Sequence, residues 1–181
     1  MHDVRVRVAT EADLAAIRAL IPRSVRGLSG GYYTPEQIES SIRYVFGPDT
    51  QLIADGTYFV AERGDAVAGC GGWSARRTLY GGDQAKDADD PRLDPATEPA
   101  RIRAFFVHPD HARRGVASAI YDACVAAARA AGFRSLELMA TLPGEPLYRI
   151  FGFRPVEQVE STLPDGVRIR FVRMARGIAA G

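Results

Sequence analysis

Apolar residues alternate with arginines over residues 4–8 in the period of a strand, and Thr10 with Glu11, Ala12 and Asp13 then supplies an N-cap and first-turn acids for a helix. That helix is expected to end near Pro22. Thr34-Pro35-Glu36 caps a second helix, with Ile38, Ile42 and Val45 or Phe46 at helical spacing until Gly47-Pro48 stops it. Between them lies a glycine-rich stretch, 27–33, that carries Tyr32 and Tyr33. Residues 57–62 and 66–74 read as two strands of a hairpin around Arg63-Gly64-Asp65. Residues 81–99 are rich in Gly, Asp and Pro and show no hydrophobic period, so an irregular loop is expected there, with its acidic run at 87–90 solvated rather than ligand-binding.

The second half is more regular. A strand over 101–107 is stopped by Pro109, and Val116, Ile120, Ala123, Ala127 and Ala131 trace the apolar stripe of an alanine-rich helix ended by Gly132. A strand over 133–139 follows, and this strand, helix, strand unit is long enough for a parallel crossover. Residues 145–151 form a short helix, and 153–160 and 167–174 pair as antiparallel strands around Pro164-Asp165-Gly166. The expected architecture is α/β, a mixed sheet with helices on its faces, in a single domain spanning 1–181 with the loop inside it.

Composition narrows the function classes. The chain has 181 residues, 46% of them hydrophobic and 25% charged, enough for one sizeable core. A net charge of +1, with Lys and Arg scattered, argues against nucleic acid or a polybasic membrane contact as partner. The first residues lack an uninterrupted apolar run, and no later segment approaches the roughly 18 apolar residues of a membrane helix, so a cytoplasmic protein is expected. Cys70 and Cys124 are too few for a disulfide framework or a four-ligand zinc site and read as small buried residues. His108 and His111 flank the proline turn without a third ligand, so no metal is expected. Gly69-Cys70-Gly71-Gly72 lacks the order of a nucleotide-binding loop and lies within a strand.

Chemistry concentrates where Arg113-Arg114-Gly115-Val116-Ala117-Ser118 turns into a helix. A helix start presents unpaired N–H groups and partial positive charge, and Gly115 would admit a phosphate close to the backbone. Spacing alone favours a plain surface turn. Taken with Phe105-Phe106-Val107-His108-Pro109 before it and Leu147-Tyr148-Arg149-Ile150-Phe151-Gly152-Phe153 after it, the segment resembles the two central motifs of the GNAT superfamily of N-acetyltransferases. The resemblance implies that superfamily's mixed, mostly antiparallel twisted sheet, with helices on both faces and a splayed central parallel strand pair.

It further implies acetyl-CoA as co-substrate, with the backbone of Arg113, Arg114, Gly115, Val116, Ala117 and Ser118 on the pyrophosphate, and Phe105, Phe106 and Val107 pairing with pantetheine. Tyr148 falls on the position of a general acid for the departing coenzyme A thiolate. The sequence departs from the pattern at Ala112, usually Gln or Arg, and at Thr141, often an Asn that contacts pantetheine. Arg101 stands where some members carry a glutamate base, which leaves Glu98 and Glu137 as candidates beside the reading that both are surface carboxylates. Tyr32, Tyr33, Trp73 and Tyr80 lie in segments that wall the acceptor pocket in this superfamily, and Trp73 would otherwise fill the hairpin core. Arg76 and Arg77 could draw an acceptor carboxylate or face solvent. The expected activity is transfer of an acetyl group to a primary amine, of a small molecule or a protein, by direct attack. The alternative is a noncatalytic acyl-CoA-binding or sensing domain. The terminal strands offer edges through which a homodimer could form.

Overall fold

The N-terminal alternation folds as a strand, β1 (Arg5–Val8), and a short 3-10 turn leads from it into α1 (Leu14–Leu28). The computed structural model describes residues 3–86 and 89–179. Asp13 closes the entry: its carboxylate accepts from the Thr10 N–H at 2.8 Å and pairs with Arg7. Pro22 does not end the helix but sits inside it. The ring removes one backbone bond, yet Leu20, Ile21, Ser24 and Val25 are buried on either side, and their packing carries the helix past the break.

Thr34 caps α2 (Pro35–Tyr44) as its sequence requires: Oγ1 accepts from the Gln37 N–H at 3.2 Å, and the Gln37 side chain accepts from the Thr34 N–H at 3.0 Å. A five-residue helix, α3 (Thr50–Ala54), follows unannounced, capped by the Asp49 carboxylate. One turn and a half is too short to display a period. The hairpin forms from β2 (Tyr58–Arg63) and β3 (Ala66–Ser74).

β4 (Ala100–Val107), α4 (Val116–Ala130) and β5 (Ser135–Thr141) make the crossover, with α5 (Glu145–Ile150), β6 (Arg154–Thr162) and β7 (Arg168–Gly177) after it. The buried face of α4 is Val116, Ile120, Tyr121, Cys124, Val125 and Ala128. The stripe expected through Ala123, Ala127 and Ala131 therefore holds only at its start: Tyr121, Cys124 and Val125 take the inward face, and Ala131 is exposed. Gly132 stops the helix at φ +91°, its N–H bonding the Arg129 carbonyl while that of Phe133 reaches back to Ala128. Phe133 precedes β5 instead of starting it and packs in the core.

The strands form one sheet in the order β1-β2-β3-β4-β5-β7-β6. Every neighbouring pair is antiparallel except β4 and β5. This is the mixed, mostly antiparallel α/β sheet that the sequence motifs imply. Alternation along the strands feeds a core on each face. Tyr58 and Val60 of β2 join Ile17, Ile21 and Val25 of α1, whereas Ala61 joins Val116, Ile120 and Cys124 of α4.

β4 and β5 are paired only at Ala100 with Leu136 and Arg101 with Glu137, and beyond that point they splay. On the other side of β4 the register with β3 breaks between Cys70 and Gly72, where Ala104 takes φ +54°. The phase of β4 shifts there: Ile102 faces the α4 side, and so do Phe105 and Val107, with Ala104 and Phe106 opposite. An extra residue in one strand has this effect.

Among its described residues the loop over 81–99 forms no strand; it has a 3-10 turn at Asp83–Ala85 and a single bridge from Arg92 to Arg76. Asp87 of the acidic run lies outside the described residues. Asp90 is not simply solvated: its carboxylate accepts from the Thr78 N–H at 2.7 Å and its carbonyl from Arg76 at 3.2 Å, fastening the loop to the end of β3.

Candidate active site

Where β4 and β5 part, a largely apolar cleft opens, walled by Ala104 to Val107 from β4, Leu138, Met139 and Thr141 from β5, and Leu147 and Tyr148 from α5. Ala117 reaches it from the first turn of α4, as do Tyr80, Gly81 and Arg103 from the loop and the strand beside it.

The start of α4 is shaped by backbone conformation. Arg113 has φ +59° and Gly115, the N-cap, φ +80°. The first intrahelical bond runs from the Ala119 N–H to the Gly115 carbonyl at 3.0 Å, so the N–H groups of Val116, Ala117 and Ser118 have no partner within the helix. Together with the helix dipole they favour an anion. A Cβ built on Gly115 meets nothing within 4 Å, so the turn is open on that side. Arg113, Arg114 and Ser118 are exposed there, while the Val116 side chain points into the core. Gly69 of β3 permits this seating, since a Cβ on it would lie 2.6 Å from Val116 Cγ1.

Tyr148 is half-buried among Phe105, Phe151 and Phe153, each ring edge-on at 5.9 to 6.4 Å. Among the described residues nothing hydrogen-bonds its hydroxyl. Burial, with a smaller contribution from Cys124, pushes that hydroxyl well above the usual phenol range. Gly144 lets the ring approach, because a Cβ there would stand 3.3 Å from it. Thr141 shapes the same corner: its Oγ1 accepts from the Gly144 N–H at 3.1 Å. Just past β4 the His108 N–H bonds the Ala68 carbonyl of β3, and the Val107 N–H at the end of β4, turned the other way by the pleat, donates to Ser24 Oγ of α1 at 3.1 Å.

The structure brings Phe105, Phe106, Val107, Ala117, Thr141, Tyr148 and Tyr80 into one cleft and leaves the other aromatic candidates outside it. Tyr80 packs on Phe171 with its hydroxyl 3.0 Å from Ser161. Tyr33 is buried, its hydroxyl donating to the Arg170 carbonyl and accepting from the Leu142 N–H; it and the exposed Tyr32 line a separate, polar recess. Trp73 lies in the core edge-on to Phe133. Arg76 is committed to Asp55 and Arg77 is exposed. Glu137 lies between Arg101 and Arg173, and Glu98 accepts from the Asp94 N–H. His108 sits 5.6 Å from His111, and its Nε2 lies 3.4 Å from Arg23. Among the described residues no three metal-binding side chains gather, and no helix is long and apolar enough to cross a membrane. Cys70 and Cys124 are both buried thiols.

Several residues beside the cleft carry no motif. Arg103 is buried with Asp49 at 2.8 Å, and its guanidinium also donates to the Thr78 and Gly81 carbonyls; Lys86 meets the other oxygen of Asp49. Burial pulls the Arg103 pKa below its ordinary value, and Asp49 offsets this in part. An arginine within a strand gives no hint of a carboxylate 54 residues away.

Residues 24–153 match the model of the Acetyltransferase (GNAT) family. No curated protein matches the sequence. Among solved structures, a GCN5-related N-acetyltransferase from Rhodopseudomonas palustris is 19% identical with a TM-score of 0.72, and 98% of each chain is covered. The PaiA N-acetyltransferase from Thermoplasma acidophilum, solved with coenzyme A, is 12% identical with a TM-score of 0.65, covering 97% of this chain and 99% of that one. A ribosomal-protein-alanine N-acetyltransferase from Brucella melitensis is 16% identical with a TM-score of 0.62, covering 96% and 99%.

Proposed function

Because the chain belongs to the acetyltransferase (GNAT) family, we propose that it transfers an acetyl group from acetyl-CoA to a primary amine by direct attack, with Tyr148 as the general acid. One observation carries the reading: the anion-favouring start of α4 and the apolar cleft lined by Tyr148 meet at Ala117. The residues present fit coenzyme A. The positive-φ turn at Arg113 and Gly115 offers consecutive N–H groups to its phosphates, and the open edge of β4 offers Phe105, Phe106 and Val107 to its pantetheine arm.

Acetyl-CoA would supply the activated thioester that the acceptor amine attacks. Tyr148, held above the phenol range by burial, is protonated at neutral pH and can give its proton to the sulfur that departs. The apolar walls that raise the phenol also disfavour a bare thiolate, which keeps donor and acceptor matched. The Val107 N–H, which donates to Ser24 Oγ, would turn to the pantetheine arm on binding. Neither Glu98 nor Glu137 lines the cleft, so neither is assigned as base. An α-amino acceptor, with a reference pKa of roughly 7.7 to 8.0, would shed its proton at far less cost than a lysine side chain at about 10.4. The acceptor class is thus an amine of a small molecule or of a protein.

Calorimetric titration with acetyl-CoA and thiol release with a panel of peptides, polyamines and arylamines test the proposal. Binding together with amine-dependent release of coenzyme A is expected. A folded protein that does not bind acetyl-CoA refutes the cleft reading. Tight binding without turnover, in the presence of an amine shown to bind, favours the noncatalytic sensing domain.

A further inference from the structure

Four small residues, Gly69-Cys70-Gly71-Gly72, occupy β3 where a strand would ordinarily carry branched or aromatic side chains. Each answers to something on a neighbouring element. Gly69 admits Val116. Gly71 admits the Phe105 ring, since a Cβ there would lie 2.7 Å from it, and Gly72 admits the backbone that leads into β2, with Thr57 O at 2.6 Å. The run therefore makes room for the β4 bulge and the helix start. Cys70, fully buried in its midst, faces the bulge itself.

Across three strands, three polar groups meet. The Tyr58 hydroxyl of β2 lies 3.3 Å from the Ala104 carbonyl and 3.2 Å from Cys70 Sγ, and that sulfur lies 3.9 Å from the same carbonyl. Tyr58 is 1% exposed and Cys70 is fully buried, so no water competes. The hydroxyl's one proton lies between two acceptors, Cys70 Sγ and the Ala104 carbonyl, and the S–H donates to the same carbonyl, so the two groups hold Ala104 O together. Burial pushes the Cys70 thiol up to about 12, which keeps it in its S–H form. The carbonyl that they hold belongs to a non-glycine residue at φ +54°, a conformation alanine does not favour. The strain and the net gain from one buried hydrogen bond are of the same order, so the bond can offset the strain of the bulge.

We propose that Tyr58 is a positioning residue for the acyl donor: its hydroxyl, supported by the Cys70 thiol, holds the Ala104 carbonyl and so fixes the peptide plane between Ala104 and Phe105. In a planar trans peptide the N–H points opposite to the C=O. The same hydroxyl therefore turns the Phe105 N–H away from Tyr58, along a stretch of β4 that lines the cleft. There it serves as a donor toward the thioester carbonyl. This inference rests on the acetyl-CoA reading of the cleft.

Two measurements on the full chain test it: acetyl-CoA affinity by calorimetry, and the carbonyl stretch of isotope-labelled acetyl-CoA by infrared difference spectroscopy. Tyr58→Phe is expected to weaken acetyl-CoA binding about tenfold, the loss of one well-placed hydrogen bond, and to shrink the shift of the carbonyl band. Tyr58→Phe/Ala104→Gly should recover most of both, because glycine takes the positive φ without a Cβ penalty. A purely structural tyrosine would lower the melting temperature without moving the band or answering to the glycine. If Tyr58→Phe does not fold, Cys70→Ala carries the same two readouts, with smaller changes in the same direction. Native binding with an indifferent Tyr58→Phe overturns this inference alone, and failure of the native protein to bind acetyl-CoA overturns the cleft reading and the inference with it.

Discussion

Asp49→Asn isolates the charge that holds the loop over 78–86 onto β4. The amide keeps the shape of the carboxylate, and with its oxygen on the Leu52 N–H the cap of α3 survives, while the NH2 group that then faces Arg103 brings neither charge nor acceptor. Arg103, whose side chain is 1% exposed, is then a buried cation facing a neutral partner at 2.8 Å. Removing one partner of a buried ion pair costs about 3 to 5 kcal/mol, and because the Thr78 and Gly81 carbonyls still solvate the guanidinium, the lower figure is expected. Lys86, at the edge of the cluster with 10% exposure, can turn outward and adds little. For a chain of this size about 3 kcal/mol corresponds to a fall in Tm of roughly 6 to 12 °C, readable by calorimetry and by urea titration at constant m. Adding Arg103→Met should return at least about 1 kcal/mol, since the stranded charge goes with it. A cost below about 1 kcal/mol for Asp49→Asn, or a double variant less stable than the single one, would refute the account of the cluster.

Tyr148→Phe should lower kcat at least about tenfold while leaving acetyl-CoA affinity almost unchanged, because the ring contacts persist and only the acidic proton is lost; equal turnover in steady-state assays removes Tyr148 from the mechanism. The protonated phenol is the active form and its pKa is raised, so the acid stays loaded to higher pH: kcat/KM should climb as the acceptor amine deprotonates and show no alkaline fall below about pH 10. A descending limb below that pH, absent from Tyr148→Phe, would contradict the burial argument. Gly115→Ala should cost about 1 kcal/mol of stability through its φ of +80°, with little loss of affinity, since its Cβ meets nothing in the protein. Gly115→Glu should additionally abolish detectable acetyl-CoA binding by setting a carboxylate against phosphate, and retained affinity in the folded variant would sink the cradle.

The β4, α4, β5 unit is legible from sequence because its punctuation is local. Pro109, Gly115 and Gly132 each act on their own turn, and the period changes from two to 3.6 and back between them. Thr34 and Pro35 are readable for the same reason. Pro22 misleads because the rule it invokes is local whereas the packing of Leu20, Ser24 and Val25 is not. The site divides along the same line. Tyr148 and the helix start belong to contiguous motifs, but Asp49 and Arg103, or Ser24 and Val107, meet only once the chain has folded.

The bulge at Ala104 is the hardest case, since Ala104-Phe105-Phe106-Val107 is apolar at every position and conceals the change of phase that gives β4 its cleft-facing edge. A run suited to both faces of a sheet carries no register of its own. Its trace lies across the hairpin, in glycines whose missing side chains are the space the Phe105 ring and the start of α4 occupy. Glycines in a strand interior weaken it, and their usual compensation is the close approach of something else. Here what approaches is the ring of the bulge and the first turn of the helix that the proposed phosphate site requires. The weakest-looking stretch of the sheet is thus the one that sets the distance between the strand and the helix on which the proposed acetyl transfer depends.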